Sequence, residues 1–326
     1  MTDRILEIAE RPARLRAENG LLVVDFLADP VTKAPADPDG PTARHRCERV
    51  GESDRLTIPF AELAVVLIAH PRVLLTQAVL SELAGAGAML VACDRRHMPA
   101  GMLLPLQTHF LQSYRYATQA ALAKPARKRL WQHIVRAKIR AQAELLRQKT
   151  GSDQGLQALA HRVRSGDPDN LEAVASRRYW SLLLPEFHRD PERGGANACL
   201  NYGYAVLRAA TARALCAAGL HPSLGIHHHN RYNPFCLADD LMEPFRPLVD
   251  SVVADLAQRT PAVELDRQTK AVILGELTGR FVAEGESRSL FDWLAQAAQS
   301  LATAIEQGTA EGLFLPLLQP QPRTQE

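Results

Sequence analysis

One stretch of the chain, from Leu224 to Asp250, concentrates side chains of the types that bind metal ions. It opens with three consecutive histidines and ends in a helical pattern that carries acidic residues. On such a helix Asp240 and Glu243 are three residues apart, so both carboxylates project from one face. Carboxylate oxygens suit Mg²⁺ or Mn²⁺, and an imidazole beside them favours Mn²⁺. The pattern predicts a divalent-metal site suited to phosphodiester chemistry.

A third acidic candidate, Glu172, stands far upstream in the segment PDNLEAVASRRYW. Asp169 or Asn170 is expected to cap a helix that begins at Leu171, which places Glu172 in the first turn. Acidic side chains favour that position because they interact well with the helix dipole. Taken alone, Glu172 is therefore more simply a helix stabiliser than a ligand. The metal hypothesis requires it to meet the histidines and Glu243 in space.

The formal net charge of +2 conceals a strongly basic segment between Gly101 and Thr150. This segment has ten Lys or Arg residues and one acidic residue, Glu144. Such an excess favours a polyanion partner, nucleic acid above all, although a solvated helix face is the alternative. The scarcity of acidic partners at i,i+4 favours a binding surface. The residues expected to contact DNA phosphates are Lys124, Arg127, Lys128, Arg129, Arg136, Lys138, Arg140, Arg177 and Arg178.

The elements that must position these side chains predict an α+β fold in two parts. Residues 1–102 read as a β-rich N-terminal domain with a hairpin at Asn19-Gly20, two buried strands around one short helix, and a long loop from Pro30 to Asp54. Residues 103–312 read as a larger all-α domain. Pro125 suits the first turn of its long helix, whose core stripe includes Trp131. The end of the chain, QPQPRTQE, is polar and proline-rich, and we expect residues 313–326 to be disordered.

Composition excludes several classes of protein. The 326 residues, 46% of them hydrophobic and 23% charged, describe a globular chain with a sizeable core. No apolar run is long enough to span a membrane, and the N-terminus lacks the apolar core of a secretion signal. Five cysteines without CxxC spacing argue against a disulfide framework and a zinc cage. These features are typical of a cytoplasmic protein.

Several segments together resemble a known family. Four segments are similar to the CRISPR-associated endonuclease/integrase of spacer acquisition: NLEAVASRRYW, NYGYAVLRAATARAL, LGIHHHN and DLMEPFRPLVD. Their sequences resemble the type II systems most. ILEIAERPARLRAENGLLVV and HMPAGMLLPL resemble the N-terminal half of that family. The resemblance covers about residues 1–305, and its GIHH and DLMEPFRP blocks are far more specific than a generic metal spacing.

The resemblance implies a fold, partners and site residues. It implies a β-rich N-terminal domain that forms a homodimer, an all-α catalytic domain, and a second, small CRISPR-associated protein as partner. The metal glutamate of the family falls on Glu172, its second acid on Glu243, and a further acid often found near the metal on Asp240. Adjacent residues point in different directions, so the three histidines cannot all bind one ion. The family spacing favours His228, with His227 as the alternative.

The function expected from the resemblance is metal-dependent phosphoryl transfer on double-stranded DNA. Glu172, His228 and Glu243 would hold Mn²⁺ or Mg²⁺, and short DNA fragments would be joined to a CRISPR repeat as new spacers. Two alternatives remain open. The chain could be a non-catalytic DNA-binding scaffold of the adaptation complex. It could also be a zinc hydrolase, although the HExxH motif is absent and three consecutive histidines lack ligand spacing.

Overall fold

The computed structural model describes residues 4–27, 55–94, 99–103, 109–190, 192–260 and 262–321. The chain divides into two compact units, Met1–Leu106 and Gln107–Glu326. The loop expected from Pro30 to Asp54 lies outside the described residues, as does His97 in the HMPAGMLLPL segment. None of the described helices is both long enough and apolar enough to cross a bilayer.

The first unit is built mainly from strands, as expected. Its elements are β1 (Arg4–Ile8), β2 (Ala13–Glu18), β3 (Leu21–Phe26), β4 (Arg55–Pro59), β5 (Leu63–Ile68), β6 (Val73–Leu75), α1 (Gln77–Gly85), β7 (Met89–Cys93) and β8 (Pro99–Leu103). One sheet has the strand order β1-β5-β7-β8, and the other has the order β4-β3-β2-β6. Strands β1, β5 and β7 run parallel, and β8 pairs antiparallel with β7.

The hairpin expected at Asn19-Gly20 is confirmed. Strand β2 pairs antiparallel with β3, and Glu18 lies opposite Leu21 across the turn. Asn19 has φ of +49° and Gly20 has φ of +77°. A two-residue turn of this kind needs positive φ at both positions, which asparagine and glycine tolerate better than other residues. The same strands contribute Leu15 and Leu22 to a continuous apolar core.

The second unit is mainly helical, so the chain is α+β as expected. Its helices are α2 (Gln112–Ala120), α3 (Lys124–Thr150), α4 (Leu156–Arg162), α5 (Leu171–Leu183), α6 (Ala196–Ala217), α7 (Cys236–Met242), α8 (Arg246–Arg259), α9 (Arg267–Leu277) and α10 (Leu290–Gln307). A short 3-10 turn, Glu243–Phe245, joins α7 to α8. Helix α3 packs against α5, α7, α8 and this turn, and α6 packs against α7 and α8.

The expectation of a purely α-helical second domain is wrong in one region. Three short strands, β9 (Arg280–Ala283), β10 (Glu286–Ser289) and β11 (Gln319–Pro320), form a sheet in the order β10-β9-β11. Within the range expected to be all-α, the segment RQTKAVILGELTGRFV is helical only at its start, because α9 ends at Leu277, before Gly279. Glu284 and Gly285 then take positive φ in a tight turn that pairs β9 with β10.

The end of the chain also differs from the expectation of disorder in its described part. Residues 313–321 are ordered, and Gln319 and Pro320 pair antiparallel with β9. Phe314 packs near the buried Trp293 of α10, with ring centroids 6.2 Å apart. Apolar side chains among the polar residues therefore anchor this segment. Residues 322–326 lie outside the described part of the chain.

Helix α3 is the central element for the chemistry considered below. Proline suits the first turn of this helix, because the backbone N–H that proline lacks would have no intrahelical partner there. The helix ends at Gly151, whose φ of +80° is a conformation that glycine adopts freely. One face of the helix is buried. That face includes Leu130, Trp131, Ile134, Val135, Lys138, Ile139 and Gln142.

Candidate active site

The carboxylates of Glu172 and Glu243 converge on one ammonium group. Lys138 Nζ lies 2.6 Å from Glu172 Oε1 and 2.7 Å from Glu243 Oε2. The three residues come from α3, α5 and the 3-10 turn, so packing of separate helices brings them together. Lys138 and Glu243 are both buried. Two acidic residues that are 71 positions apart in the sequence thus share one cation.

The local arrangement at Glu172 differs in detail from the expected helix cap. Asn170 takes positive φ and its side chain does not cap α5. The carboxylate of Asp167 instead accepts hydrogen bonds from the backbone N–H groups of Leu171 and Glu172, at 2.9 and 3.0 Å. Asp169 is engaged elsewhere, in a salt bridge with Arg164. Because Asp167 satisfies the first turn, the Glu172 side chain is free to reach Lys138.

Electrostatics keep this cluster ionised despite its burial. Burial alone raises the pKa of Glu243, but Arg246 and Lys138 outweigh it, so the pKa lies below its ordinary value. Burial alone lowers the pKa of Lys138, but Glu243 and Glu172 outweigh it and the pKa rises. Arg246 Nη2 lies 3.1 Å from Glu243 Oε1. A buried carboxylate is stable as an anion only with such partners.

The histidine turn is built around the carboxylate of Asp240. This fully buried group accepts hydrogen bonds from the backbone N–H groups of Ile226, His227 and His228, at 2.6, 3.0 and 3.2 Å. Its Oδ1 atom also lies 2.6 Å from His228 Nδ1. The backbone packs so closely here that a Cβ on Gly225 would lie 2.3 Å from the carbonyl oxygen of His228. Asp240 therefore fixes both the turn and the imidazole.

The three imidazoles have different environments. His227 stacks on the buried Trp131 ring, with centroids 4.1 Å apart and planes within 3° of parallel. His228 meets the same indole edge-on. His227 and His229 are exposed over much of their surface, and His228 is partly buried. The hydrogen bond to Asp240 raises the pKa of His228, whereas partial desolvation lowers the pKa of His227. With its Nδ1 proton directed at Asp240, a neutral His228 presents Nε2 as a lone-pair donor.

The donors of this region suit a hard divalent cation. Glu243 Oε2 is buried and lies 2.7 Å from Lys138 Nζ, which is its close polar neighbour in the described structure. The negative charge of Glu243 acts on the His228 ring, and the negative charge of Glu172 acts on the His227 ring. Within the described ranges, no three histidine, cysteine or acidic side chains are grouped as ligands of a single ion. The Lys138 ammonium lies between the two carboxylates instead. The chemistry of the donor set fits Mg²⁺ or Mn²⁺.

One sequence prediction stays a prediction, and another needs correction. Asp240, expected near the metal, contacts His228, and both of its carboxylate oxygens accept hydrogen bonds. Lys138, expected on a DNA-binding face, is buried between Glu172 and Glu243. Lys138 is buried because it lies four residues after Ile134 and three after Val135, on the buried face of α3.

The remaining basic residues differ in their contacts and in their exposure, and two of them, Arg129 and Arg178, are both bonded to the main chain and exposed. Four of them donate to main-chain carbonyl groups, which ties them to the fold: Arg127 to Leu122, Arg129 to Gly308, Arg136 to Val163 and Arg178 to Gln154. The exposed members are Lys124, Lys128, Arg129, Arg140, Arg177 and Arg178. They extend along α3 and the middle of α5. The predicted DNA-contact set therefore contains both structural and solvent-facing cations.

A buried polar network around Asp250 lies next to Arg246, the residue that is paired with Glu243. The sequence did not indicate this network. The carboxyl group of Asp250 accepts hydrogen bonds from Tyr179 Oη, at 2.8 Å, and from Tyr204 Oη. The guanidinium of Arg246 lies over the Tyr204 ring, 4.8 Å from its centroid. Burial raises the pKa of Asp250 to about 6, although both tyrosines oppose the shift. The network thus positions Arg246 against Glu243.

A signal for these missed residues was present in the pattern. Trp131 and Lys138 both belong to the buried stripe of α3, and a lysine in an apolar stripe requires a buried partner. Asp250 likewise falls on the buried face of α8. Acidic or basic residues at core positions of amphipathic helices would have identified Lys138 and Asp250, but neither the two tyrosines nor the aromatic contact with His227.

Comparison with known proteins places the chain in a family. The family model for CRISPR-associated protein Cas1 matches residues 44–284. A CRISPR-associated endonuclease Cas1 from Neisseria meningitidis serogroup C is 38% identical over 274 residues, covering 83% of this chain and 89% of that protein. Another, from Pyrobaculum aerophilum, is 28% identical over 320 residues, covering 91% and 98%.

Solved structures share the fold at low sequence identity. A casposase bound to integration product matches with a TM-score of 0.73 at 18% identity, over 94% of this chain and 92% of that one. A Cas1 protein from Thermotoga maritima matches with 0.69 at 16%, over 93% and 97%. A chain of a Cas6-RT-Cas1–Cas2 complex matches with 0.69 at 20%, over 96% and 36%. Since the family model spans most of the sequence and the Neisseria relative covers most of its length, the chain belongs to the Cas1 family of CRISPR-associated endonucleases.

Proposed function

We propose that this protein is a metal-dependent DNA endonuclease and integrase that inserts short DNA fragments into a CRISPR array. Glu172, Glu243 and His228 would hold Mn²⁺ or Mg²⁺. The observation that carries the proposal is the meeting of two sequence-distant carboxylates beside the histidine turn. Such a bound cation would polarise the scissile phosphate and offset charge on the leaving 3′ oxygen.

The side chains around these donors have supporting tasks. Asp240 keeps the His228 proton on Nδ1, so that Nε2 stays available. Arg246 holds Glu243 ionised. The nucleophile is the 3′-OH of an incoming DNA end when the outcome is integration, and water when it is cleavage. None of these side chains supplies the nucleophile, so the catalytic contribution of the protein is positioning and charge.

DNA is the substrate that the surface chemistry favours. The exposed cations of α3 and α5 would follow phosphates without reading sequence. The turn after the histidines carries Arg231 and Tyr232, whose ring is 83% exposed and lies beneath the guanidinium of Arg231. An exposed aromatic ring beside a cation suits the stacking of an unpaired base. These features support a DNA end approaching the histidine turn.

We also propose the partners implied by the family. The first unit would form a homodimer, which would present two sites for two-ended insertion. The solved complex that contains Cas1 and Cas2 supports a small second protein as partner. Sedimentation of the purified chain would test the dimer. Integration into a repeat-bearing plasmid, with and without the small partner, would test the complex.

One observation favours a second candidate, a non-catalytic DNA-binding scaffold. Lys138 neutralises Glu172 and Glu243 as it would in an ordinary buried ion-pair network. A zinc hydrolase has no comparable support, because His227 is stacked on Trp131 and His229 is exposed. The scaffold predicts DNA binding without chemistry under any metal.

The decisive experiment is strand transfer and nicking of labelled duplex DNA. Reactions with Mn²⁺, Mg²⁺, Zn²⁺ or EDTA would be run on the wild-type protein, Glu172→Gln and Glu243→Gln. We expect activity with Mn²⁺ or Mg²⁺ that both variants lose, while DNA binding persists. His229→Ala is the matched control and should remain active. DNA binding with no product under any metal would favour the scaffold, and dependence on Zn²⁺ the hydrolase.

A further inference from the structure

We propose that Lys138 is a resident counter-cation that a divalent metal must displace from between Glu172 and Glu243. This inference rests on the proposed function. It concerns how the site is loaded: metal binding would be an exchange of one cation for another. Lys138 would be a positioning residue that keeps the two carboxylates together until the metal arrives.

The distances carry the first step of the argument. Lys138 Nζ lies 2.6 and 2.7 Å from one oxygen of each carboxylate, so it occupies a position between the two acids. Mg²⁺ binds carboxylate oxygens at about 2.0–2.1 Å. A metal bound to these same oxygens would overlap the ammonium position and repel its charge. The two cations therefore cannot be held there together.

The second step concerns why a lysine can leave. A lysine ammonium is a compact charge on a flexible four-carbon chain, unlike the planar guanidinium of arginine. Gln142 lies four residues further along α3, on the same helix face. Its Oε1 atom is buried and has no hydrogen-bond partner among the described residues. It is an acceptor available to an ammonium that withdraws along the helix.

The third step is charge balance. With the ammonium in place, Glu172 and Glu243 face Lys138 and Arg246. When a divalent ion replaces the ammonium, the same carboxylates remain compensated and Arg246 stays beside Glu243. Without either cation, the buried carboxylate of Glu243 and the partly buried carboxylate of Glu172 would be left close together with Arg246 alone, which is unfavourable. Lys138 therefore stabilises the metal-free protein and competes with the metal.

The test compares Mn²⁺ binding to full-length wild-type protein and Lys138→Met, by titration calorimetry and by the electron paramagnetic resonance signal of free Mn²⁺. If the withdrawn state of Lys138 is populated to about 10% or less, removing the ammonium should tighten Mn²⁺ binding about tenfold or more. The metal-free variant should unfold at a lower temperature, and Mn²⁺ should raise its midpoint more than that of the wild type. Lys149→Met, on the same helix as Lys138, is the matched control. It removes an ion pair with Asp255 of α8 and should bind Mn²⁺ as the wild type does.

Equal or weaker Mn²⁺ binding by folded Lys138→Met would overturn the exchange. If that variant does not fold, crystals of the wild-type protein grown with and without Mn²⁺ decide the question. We expect the ammonium to have left the two carboxylates in the Mn²⁺ form, and an unmoved ammonium beside bound Mn²⁺ would refute the proposal. Absence of Mn²⁺ binding in both proteins would instead count against the proposed function. Normal strand transfer with equal affinities would defeat this inference alone.

Discussion

His227 lies flat on the indole of Trp131, with ring centroids 4.1 Å apart, while its neighbour His228 points Nδ1 at Asp240. Two adjacent imidazoles are thus committed to different contacts. The stacked ring is held against a side chain that is itself 2% exposed. Of these two imidazoles, it is the His228 ring whose nitrogen is oriented by a carboxylate, as is usual for histidines that bind metals.

The histidine run therefore predicts an unequal alanine series. His228→Ala should lower Mn²⁺-dependent strand transfer by about 100-fold or more, since even outer-shell partners of a metal cost about 10- to 100-fold. His227→Ala should keep measurable activity, and His229→Ala should match the wild type. Initial rates at saturating Mn²⁺ would measure the series. Greater loss in His227→Ala than in His228→Ala would assign the ligand to the stacked ring.

Asp240→Asn should weaken metal binding without removing a ligand. The amide has one acceptor oxygen, whereas the carboxylate accepts from three backbone N–H groups and from His228. We expect Mn²⁺ affinity to fall about 10- to 100-fold. Calorimetric titration measures it, with Asp239→Asn as the control, because Asp239 bonds Arg208 and Asn233 instead. Equal losses in both variants would indicate a general effect on α7.

Gly225→Ala should destabilise the protein through the histidine turn. Its Cβ would lie 2.3 Å from the His228 carbonyl oxygen and 2.9 Å from Cys236 Cβ, so the backbone must shift. Overpacking of this kind costs about 1–3 kcal/mol. The control is Gly275→Ala on α9, where nothing lies within 4 Å and helix propensity predicts a gain of about 0.5–1 kcal/mol. Urea unfolding measures both, and a neutral Gly225→Ala would contradict the tight packing.

Asp250 predicts a specific pH dependence of stability. Its pKa rises from 3.8 to about 6 on folding, so the folded protein holds the proton more tightly than the unfolded chain. The resulting stabilisation is complete below about pH 4 and is lost as the pH rises through about 6. The free energy of unfolding of the wild type, relative to Asp250→Asn, should fall by about 3 kcal/mol across this window.

Denaturant unfolding of both proteins at several pH values measures this difference. Tyr179→Phe gives a second check, because it removes a donor that lowers the pKa of Asp250. The upper end of the window should then move above pH 6. A difference that rises with pH, or one that stays flat, would contradict the raised pKa of the buried Asp250 carboxyl group.

The exposed cations predict a change in the salt dependence of DNA binding. Replacing Lys128, Arg140 and Arg177 by glutamine should weaken binding to all sequences. If each side chain contacts one phosphate, the slope of log affinity against log salt should fall by about 2.7. Arg147→Gln is the control, since Arg147 is paired with Glu144 on the same helix. An unchanged slope in the triple variant would make these residues a solvated helix face.

Most of the fold could be predicted from the sequence, because turns and helix starts depend on the backbone conformations of a few neighbouring residues. The Asn19-Gly20 hairpin and the proline at the start of α3 follow from backbone conformations that few residues permit. Strands β9 and β10 were missed because RQTKAVILGELTGRFV keeps an apolar pattern across Gly279. The pairing of β9 with β10 and with β11 shows where the helix gives way to a strand.

The candidate site was anticipated in part. The pattern and the resemblance together named Glu172, Glu243 and His228. The charge count put Lys138 among the DNA contacts, because a count over a window does not distinguish helix faces. The hydrogen bonds of Asp240 to the histidine turn depend on a loop that folds back over α7, and no spacing rule encodes such a loop.

Helix α3 also fixes the relative orientation of two side chains of the site, Trp131 and Lys138. Trp131 and Lys138 are seven residues apart, close to two full turns, so they leave the helix on nearly the same side. Adding a single residue between them would rotate everything beyond it by about 100°. The indole would still support the imidazole, but the ammonium would swing away from both acids. Changes of residue type on the solvent side of this helix should thus be tolerated far better than any change in its length.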